Sequence, residues 1–126
     1  MIIKKSIVGS LFSMLLVSEM AAADWGDVYY CQMTNFIGIT LEGERKFYKQ
    51  EKFQFKLDQT TNAMVMGSTG YFTDMVYELN TGMSFPSQEK WYANHKFSMT
   101  RFAEGKFFYS QVGTGIVSIS ADCDKF

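Results

Sequence analysis

The sequence has little of several features that other protein classes need. Its 126 residues include one proline, one histidine and two cysteines, and its formal net charge is only −1. A chain of this length forms one domain and leaves no room for separate catalytic and cofactor domains. The lack of a basic surplus excludes the electrostatic footprint of a nucleic-acid-binding protein. With 47% hydrophobic and 20% charged residues, the composition is still that of a folded protein.

Sequence patterns of common catalytic and cofactor sites are also missing, among them G-x-S-x-G, H-E-x-x-H, the P-loop and G-x-G-x-x-G. The single histidine, His95, has no carboxylate beside it in the sequence. No loop has the dense oxygen ligands of a calcium site, and two cysteines cannot complete a structural zinc site. We therefore predict no metal, no cofactor and no enzymatic activity. A small hydrolase that gathers carboxylates from several strands is an alternative.

The first 23 residues have the order of features that export requires. Two lysines precede an apolar stretch over residues 6–17, and small residues ending in Ala21-Ala22-Ala23 follow it. The apolar stretch is shorter than the roughly 20 residues of a membrane-spanning helix, and the alanines match the A-x-A pattern of signal-peptide cleavage. We predict a signal peptide over residues 1–23 and a single secreted or periplasmic domain over residues 24–126, without a transmembrane segment.

Cys31 and Cys123 are the two cysteines, and they lie near the ends of the predicted domain. In an oxidising compartment such a pair is expected to form a disulfide. Closing so long a loop is worth roughly 4–5 kcal/mol by the chain-entropy argument. Two buried free thiols are the alternative.

Alternation of apolar and polar residues is the main structural signal. It is clearest over residues 52–57, where Phe53, Phe55 and Leu57 fall on one face and polar residues on the other. Residues 117–123 alternate in the same way, so both cysteines fall on faces predicted to be buried, in the first and last strands. No long segment shows a helical period.

Turn signals recur at short intervals and divide the domain into short strands. The candidate strands cover residues 27–33, 36–41, 45–57, 63–67, 71–79, 90–102, 106–112 and 116–123. Two of them, 45–57 and 90–102, are long enough to break in two, and the single proline, Pro86, marks a loop. We predict an all-β fold of about eight strands, either a small antiparallel β-barrel or a β-sandwich, with one disulfide.

Several strands carry aromatic residues on both faces, which a half-exposed sheet does not require. These neighbours are Tyr29 and Tyr30, Tyr71 and Phe72, Trp91 and Tyr92, and Phe107, Phe108 and Tyr109. Either they lie at strand ends, edges or corners that are covered on both sides, or they form a second apolar surface for a ligand, a partner or self-association. The first interpretation is favoured, because exposed single aromatic residues are common.

The segment 90–96 is the best candidate for a recognition site. It holds Trp91, Tyr92, the single histidine His95 and two lysines, of which Lys96 is the second. Tryptophan and tyrosine give rigid contact area with a polar tip, which suits binding hot spots and sugar stacking. The alternative is a hairpin with one buried tryptophan and a solvated tip, so Trp91 is the ambiguous member of the set.

Two short points of the sequence resemble the small periplasmic inhibitors of C-type lysozyme. They are Tyr29-Tyr30-Cys31 near the start of the domain and Cys123 near its end. The resemblance implies an exported β-barrel of similar size in which an early and a late cysteine form a disulfide. The chain has no recognisable Ser-Gly-x-Arg-Tyr loop, the part that would carry inhibition in that family, and Glu104-Gly105-Lys106 matches their later Lys-Gly stretch only loosely.

The function predicted from these features is that of a secreted or periplasmic, non-catalytic binding module. Its aromatic-rich loops would recognise a protein, a glycan or a small apolar ligand, with Trp91, Tyr92, His95 and Lys96 as contact residues. The alternative is an inhibitor of an extracellular hydrolase. A large apolar cavity in a barrel would favour a ligand, a protruding polar loop would favour an inhibitor, and a cleft with two carboxylates would favour an enzyme.

Overall fold

The strands close into an antiparallel barrel in the computed structural model, which describes residues 23–126. The predicted signal peptide, apart from Ala23, lies outside the described residues. The strands are β1 (Val28–Thr40), β2 (Arg45–Phe47), β3 (Lys52–Asp58), β4 (Ala63–Met66), β5 (Val76–Leu79), β6 (Lys90–His95), β7 (Ser98–Ala103), β8 (Lys106–Val112) and β9 (Gly115–Lys125). The predicted all-β fold is confirmed, and the barrel is the form that it takes.

Neighbouring strands in the barrel follow one another along the chain, and β1 pairs with β9 to close the ring. β2 and β3 lie in succession along the same edge of β1, so together they fill one position and the barrel has eight. The register of β1 shifts between Met33 and Asn35, where β1 passes from one of these partners to the other. We call the end that holds the β7–β8 turn the lower end, and the end that holds the β8–β9 turn the upper end.

Aromatic side chains fill the interior of the barrel. Alternation along each strand points every second residue inward, and the inward residues Phe55, Trp91 and Phe107 are no more than 1% exposed. Their rings meet edge to face with other inward rings, as between Phe55 and Phe102, whose centroids are 5.1 Å apart. An eight-strand barrel is just wide enough for its own side chains, so these rings form the core.

Some strand boundaries differ from those expected from the sequence, and others agree with them. Residues 27–33 and 36–41 belong to one strand, β1, because the bulge keeps the pairing with β9 intact across the gap. The two long candidates, 45–57 and 90–102, each break in two. Residues 71–75 form turns instead of a strand, and the loop that contains them folds inward so that Phe72 is buried against the core. The predicted loop at Pro86 contains one turn of 3₁₀ helix, Pro86–Gln88.

The predicted disulfide is confirmed. Cys31 and Cys123 are directly opposite in the β1–β9 ladder, their side chains are buried, and 92 residues separate them in sequence. The bond therefore fastens the seam at which the first and last strands close the barrel. Such a bond is consistent with an oxidising extracellular or periplasmic compartment. Within residues 23–126, no helix is long and apolar enough to cross a bilayer.

Two adjacent phenylalanines test the assignment of inward and outward faces. Phe107 is fully buried and Phe108 is 45% exposed. We expect Phe107→Ala to lower the free energy of unfolding by about 3–5 kcal/mol, because it leaves a cavity in a packed core. Phe108→Ala should change it by no more than about 0.5 kcal/mol. Urea unfolding of both variants measures the difference, and equal losses would contradict the assignment.

Removal of the disulfide tests the seam. Replacement of Cys31 and Cys123 together by serine should lower the free energy of unfolding by roughly 4–5 kcal/mol, because the unfolded chain regains the entropy that the closed loop had removed. Denaturant unfolding of the oxidised protein and the double variant gives the value. A loss below about 1 kcal/mol would show that the seam is stable without the bond.

Candidate binding site on the barrel wall

The structure separates the four predicted contact residues. Trp91 points into the barrel and is fully buried, and its ring meets that of Trp25 edge to face at 5.0 Å. Its Nε1 is the one buried side-chain nitrogen or oxygen without a hydrogen-bond partner in the described part of the chain. Trp91 is therefore a core residue that presents no surface to a partner in the folded protein.

Tyr92, the next residue of β6, points outward and is paired with an arginine. Arg101 lies opposite Tyr92 on β7. Its Nε donates a hydrogen bond to the Tyr92 hydroxyl at 2.9 Å, and its Cζ lies 5.6 Å from the centre of the tyrosine ring. The hydrogen bond and the cation–π contact hold both side chains in place on the outer wall.

His95 and Lys96 lie at the upper end, at the turn between β6 and β7. Both are exposed, and Lys96 has a φ of 53°, which places it in the left-handed region of a tight turn. They line a shallow groove of about 530 Å³ together with Val76, Glu78 and neighbouring residues. The binding role predicted for Tyr92, His95 and Lys96 remains a prediction, and it would involve two different surfaces.

Outward side chains of five adjacent strands form three rows on one side of the barrel. The strand registers place Ile39, Ile116 and Val112 in the upper row. The middle row is Ile37, Ser118, Ser110 and Met99, and the lower row is Asn35, Ser120, Phe108, Arg101 and Tyr92. We call the surface made by these rows the wall.

A groove of about 540 Å³ lies in the middle of the wall. Its floor is low because Ser110 and Ser118 carry small side chains, while Ile37 and Met99 stand at either side of them. These two residues are three strand spacings apart, about 14 Å. Phe108 adds a ring beside the floor and is nearly half exposed. The groove thus combines apolar sides with hydroxyl groups, as small-molecule and peptide sites do.

Arg101 is the charged residue among those that line the groove. Within residues 23–126, no carboxylate lies at salt-bridge distance from its guanidinium. Only the Nε of Arg101 is engaged by Tyr92, so its terminal nitrogens can donate to a bound group. Arginine is well suited to carboxylates, because two parallel N–H groups can bind the two oxygens.

A second cleft lies at the lower end of the barrel. Its floor includes Tyr29 and Phe102, and its rim carries carboxylates from the loop before β6, the β7–β8 turn and the end of β9. One of them, Asp122, is paired with Lys106 at 2.5 Å, and both side chains are more than half exposed. On this rim Glu104, Asp122 and Asp124 are exposed and Glu89 is half-buried, whereas a glycosidase holds its general acid in an apolar environment. Among the described residues, no group of three His, Cys, Asp or Glu side chains is placed to hold a metal ion.

Tyrosines with strongly perturbed ionisation lie inside the barrel. Burial raises the pKa of Tyr29 to about 12, with smaller contributions from Asp27 and Glu89. Burial likewise raises the pKa of Tyr77 and of Tyr109 near the upper end. The Tyr109 hydroxyl donates to Gln111 Oε1 at 2.6 Å. These phenols stay protonated at neutral pH, which keeps the Tyr109 hydroxyl available as a donor to Gln111.

The wall residues other than the aromatic Tyr92 and Phe108 were not found by sequence reasoning. Arg101 and Met99 sit in β7, Phe108 and Ser110 in β8, and Ile37 in β1, and each is an ordinary outward residue in its own strand. The one local signal was the placement of aromatic residues on both faces at 91–92 and 107–109. Tyr92 and Phe108 are the outward members of those sets, and both lie in the lower row of the wall.

Comparisons by sequence and by structure match this chain to no known protein family, to no curated protein and to no solved structure. The resemblance to the lysozyme inhibitors therefore stays a prediction drawn from Tyr29-Tyr30-Cys31 and Cys123.

The raised tyrosine pKa values predict a loss of stability in alkali. In the unfolded chain the phenols ionise near pH 10, whereas Tyr29 ionises near pH 12 in the folded chain and Tyr109 is also raised. The stabilisation is therefore complete below pH 10 and declines as pH rises toward the folded-state values. Urea unfolding between pH 8 and pH 11.5 should show this decline, and Tyr109→Phe should make it shallower. A free energy of unfolding that stays constant up to pH 11.5 would contradict the prediction.

Proposed function

We propose that the protein is an exported, non-catalytic binding module that holds a partner against its wall. The observation that carries the proposal is the groove between Ile37 and Met99, with Phe108 and Arg101 beside it. Packed rings occupy the interior, where a barrel with a ligand cavity would have space. Apolar contact area, hydroxyl groups and a guanidinium with no carboxylate partner among residues 23–126 lie together on the outside.

Export rests on the sequence of residues 1–23 and on the disulfide. A signal peptide that ends at Ala23 would deliver the chain to the compartment in which Cys31 and Cys123 can be oxidised. N-terminal sequencing of the exported protein should begin at Asp24. Retention of residues 1–23 would contradict this part of the proposal.

The charge of the wall indicates the chemistry of the partner. Apolar side chains of the partner would fill the groove, and a carboxylate beside them would pair with Arg101. The partner must supply a carboxylate for Arg101. A second copy of this chain could not supply it from its own groove, because the residues that line the groove include no carboxylate. The partner that fits best is a protein segment with aromatic or aliphatic residues next to Asp or Glu.

An inhibitor of an extracellular hydrolase is the second candidate function. The observation in its favour is the disulfide between the first and last barrel strands, which is the pairing implied by the resemblance to lysozyme inhibitors. Such an inhibitor is a special case of a module that binds a protein. A lysis assay with a C-type lysozyme tests it directly, and full enzyme activity in the presence of excess protein would remove this candidate.

A displayed library of random peptides tests the main proposal without a known partner. We expect selection on the exported protein to enrich peptides that combine aromatic or aliphatic residues with Asp or Glu. Binding of these peptides should fall at least about tenfold with Phe108→Ser, which removes an apolar anchor. It should also fall with Arg101→Gln, which removes the carboxylate partner.

Phe85→Ser is the matched control for Phe108→Ser. Phe85 is 49% exposed in the loop before β6, outside the wall, and Phe108 is 45% exposed on it. The control should leave peptide binding unchanged. Selected peptides that bind Phe108→Ser as well as the unaltered protein, or selection that enriches no peptide, would contradict the proposal.

A further inference from the structure

The first described residues close the lower end of the barrel. Trp25 packs edge to face against the buried ring of Trp91, with centroids 5.0 Å apart. The backbone that follows Trp25 is tied to β3, since Gly26 N donates to Leu57 O at 2.6 Å and Leu57 N donates to Asp27 O at 3.0 Å. Residues 24–27 therefore form a plug that depends on how the chain is held at Asp24.

The backbone nitrogen of Asp24 lies against a carboxylate. It donates a hydrogen bond to Asp27 Oδ2 at 2.8 Å, and Asp27 N donates back to Asp24 O at 3.1 Å. The side chain of Asp27 is only 23% exposed, and Lys125 Nζ lies 3.4 Å from the same oxygen. The Asp24 nitrogen thus occupies a position beside a largely buried negative charge.

We propose that the peptide bond between Ala23 and Asp24 is a processing site at which cleavage converts this hydrogen bond into an ion pair that locks the Trp25 plug. The inference rests on the proposed export with cleavage after Ala23 and goes beyond the binding function of the wall. An endopeptidase of the export system breaks the bond with one water molecule. The hydroxyl of the water goes to the Ala23 carbonyl carbon, and Asp24 leaves as an amine. At neutral pH the amine binds a proton and becomes an ammonium.

The new ammonium would stand where the amide stands, with the Asp27 carboxylate within hydrogen-bond distance. Hydrogen bonds between two charged groups are roughly twice as strong as neutral ones. Partial burial of Asp27 reduces screening by water and salt. Cleavage would therefore strengthen the contact that holds Trp25 in the barrel, and an unprocessed chain would lack this charge.

Several titratable groups face the new amine. Asp27 favours its charged form, as does the carboxylate of Asp24 itself, which accepts the Trp25 N–H at 2.7 Å. Lys125 opposes it from β9 as a like charge. Tyr29 on β1 stays neutral, because burial raises its pKa to about 12. Glu89, in the loop before β6, lies near the Tyr29 ring as a further negative charge. The negative groups outnumber the positive one, so the ammonium should be retained to higher pH than in an unfolded chain.

The ionisation of the Asp24 α-amine in the exported protein tests the proposal. The rate at which acetic anhydride acylates this amine, followed by mass spectrometry from pH 6 to pH 11, gives its pKa. We expect a value about one unit above the ordinary α-amino value of about 8. Because the pKa of the amine is raised in the folded chain, the stability that the ion pair adds should be complete below about pH 8. It should be lost as pH rises through the raised pKa of the folded state.

Two variants separate the ion pair from general damage to the fold. One inserts a glutamine between Ala23 and Asp24, which is too large for the last position of the A-x-A pattern, so that processing still occurs after Ala23, leaves an amide at Asp24 and moves the ammonium to the inserted residue. This variant should return the amine to its ordinary pKa and lower the melting temperature at pH 6 by about 4–8 °C, the shift that corresponds to about 1 kcal/mol in a small domain. The other variant, Asp27→Asn, should lower the pKa of the Asp24 amine, and in its background the insertion should no longer change the melting temperature.

Two results would overturn the proposal. One is an exported protein whose mass shows a first residue other than Asp24. The other is a chain that begins at Asp24 with an α-amine of ordinary pKa that Asp27→Asn leaves unchanged. Neither result bears on peptide binding by the wall, so a failure here is distinguishable from a failure of the binding function.

Discussion

The width of an eight-strand barrel is the constraint on which the rest of the structure depends. A closed sheet of this size has room for its own side chains or for one small ligand, and here the filling consists largely of rings such as Phe55, Trp91 and Phe107. Closure also pairs the outer edges of β1 and β9, which an open sheet would leave free for another strand. With the interior filled, the outward side chains and the loops are the surfaces open to a partner, and the role proposed above for the wall rests on them.

The same constraint explains why aromatic residues occur on both faces of some strands. At 91–92 and 107–108, one residue of each pair completes the core and the other reaches the wall. At 71–72 the explanation is different, because these residues lie in a loop and not in a strand. Phe72 is buried against the core from that loop, with its ring 4.9 Å from that of Tyr109. The paired aromatic residues thus have different structural causes in different parts of the chain, and their use as an interaction surface stays a prediction.

A structural feature could be predicted from the sequence where residues close together along the chain determine it. Alternation over residues 52–57 and 117–123 reports a strand directly, because inward and outward positions differ in their contact with water. The disulfide followed from a single pair of cysteines in a chain predicted to be exported. The continuity of β1 and the turns at 71–75 could not be read, since a bulge and an inward-folding loop are set by contacts with distant strands.

The wall could not be predicted from the sequence, for a related reason. Tyr92, Arg101, Phe108 and Ser120 become neighbours only through the registers of four strands. A shift of one residue in any of those registers would turn the side chains to the other face. No local pattern fixes a register, so the sequence could indicate that some aromatic residues are exposed but not which of them lie together.

The seam between β1 and β9 has a consequence for when the protein can fold. These strands are the first and last of the domain, and Cys31 meets Cys123 across 92 residues. Contacts of such long sequence separation form late, after the loop-closure entropy of the intervening chain has been lost. A chain that crosses a membrane from its N-terminus onward would deliver β1 first and β9 last. The barrel could then close only after the whole chain had arrived, which would keep it unfolded, and able to pass a narrow channel, for the duration of transport.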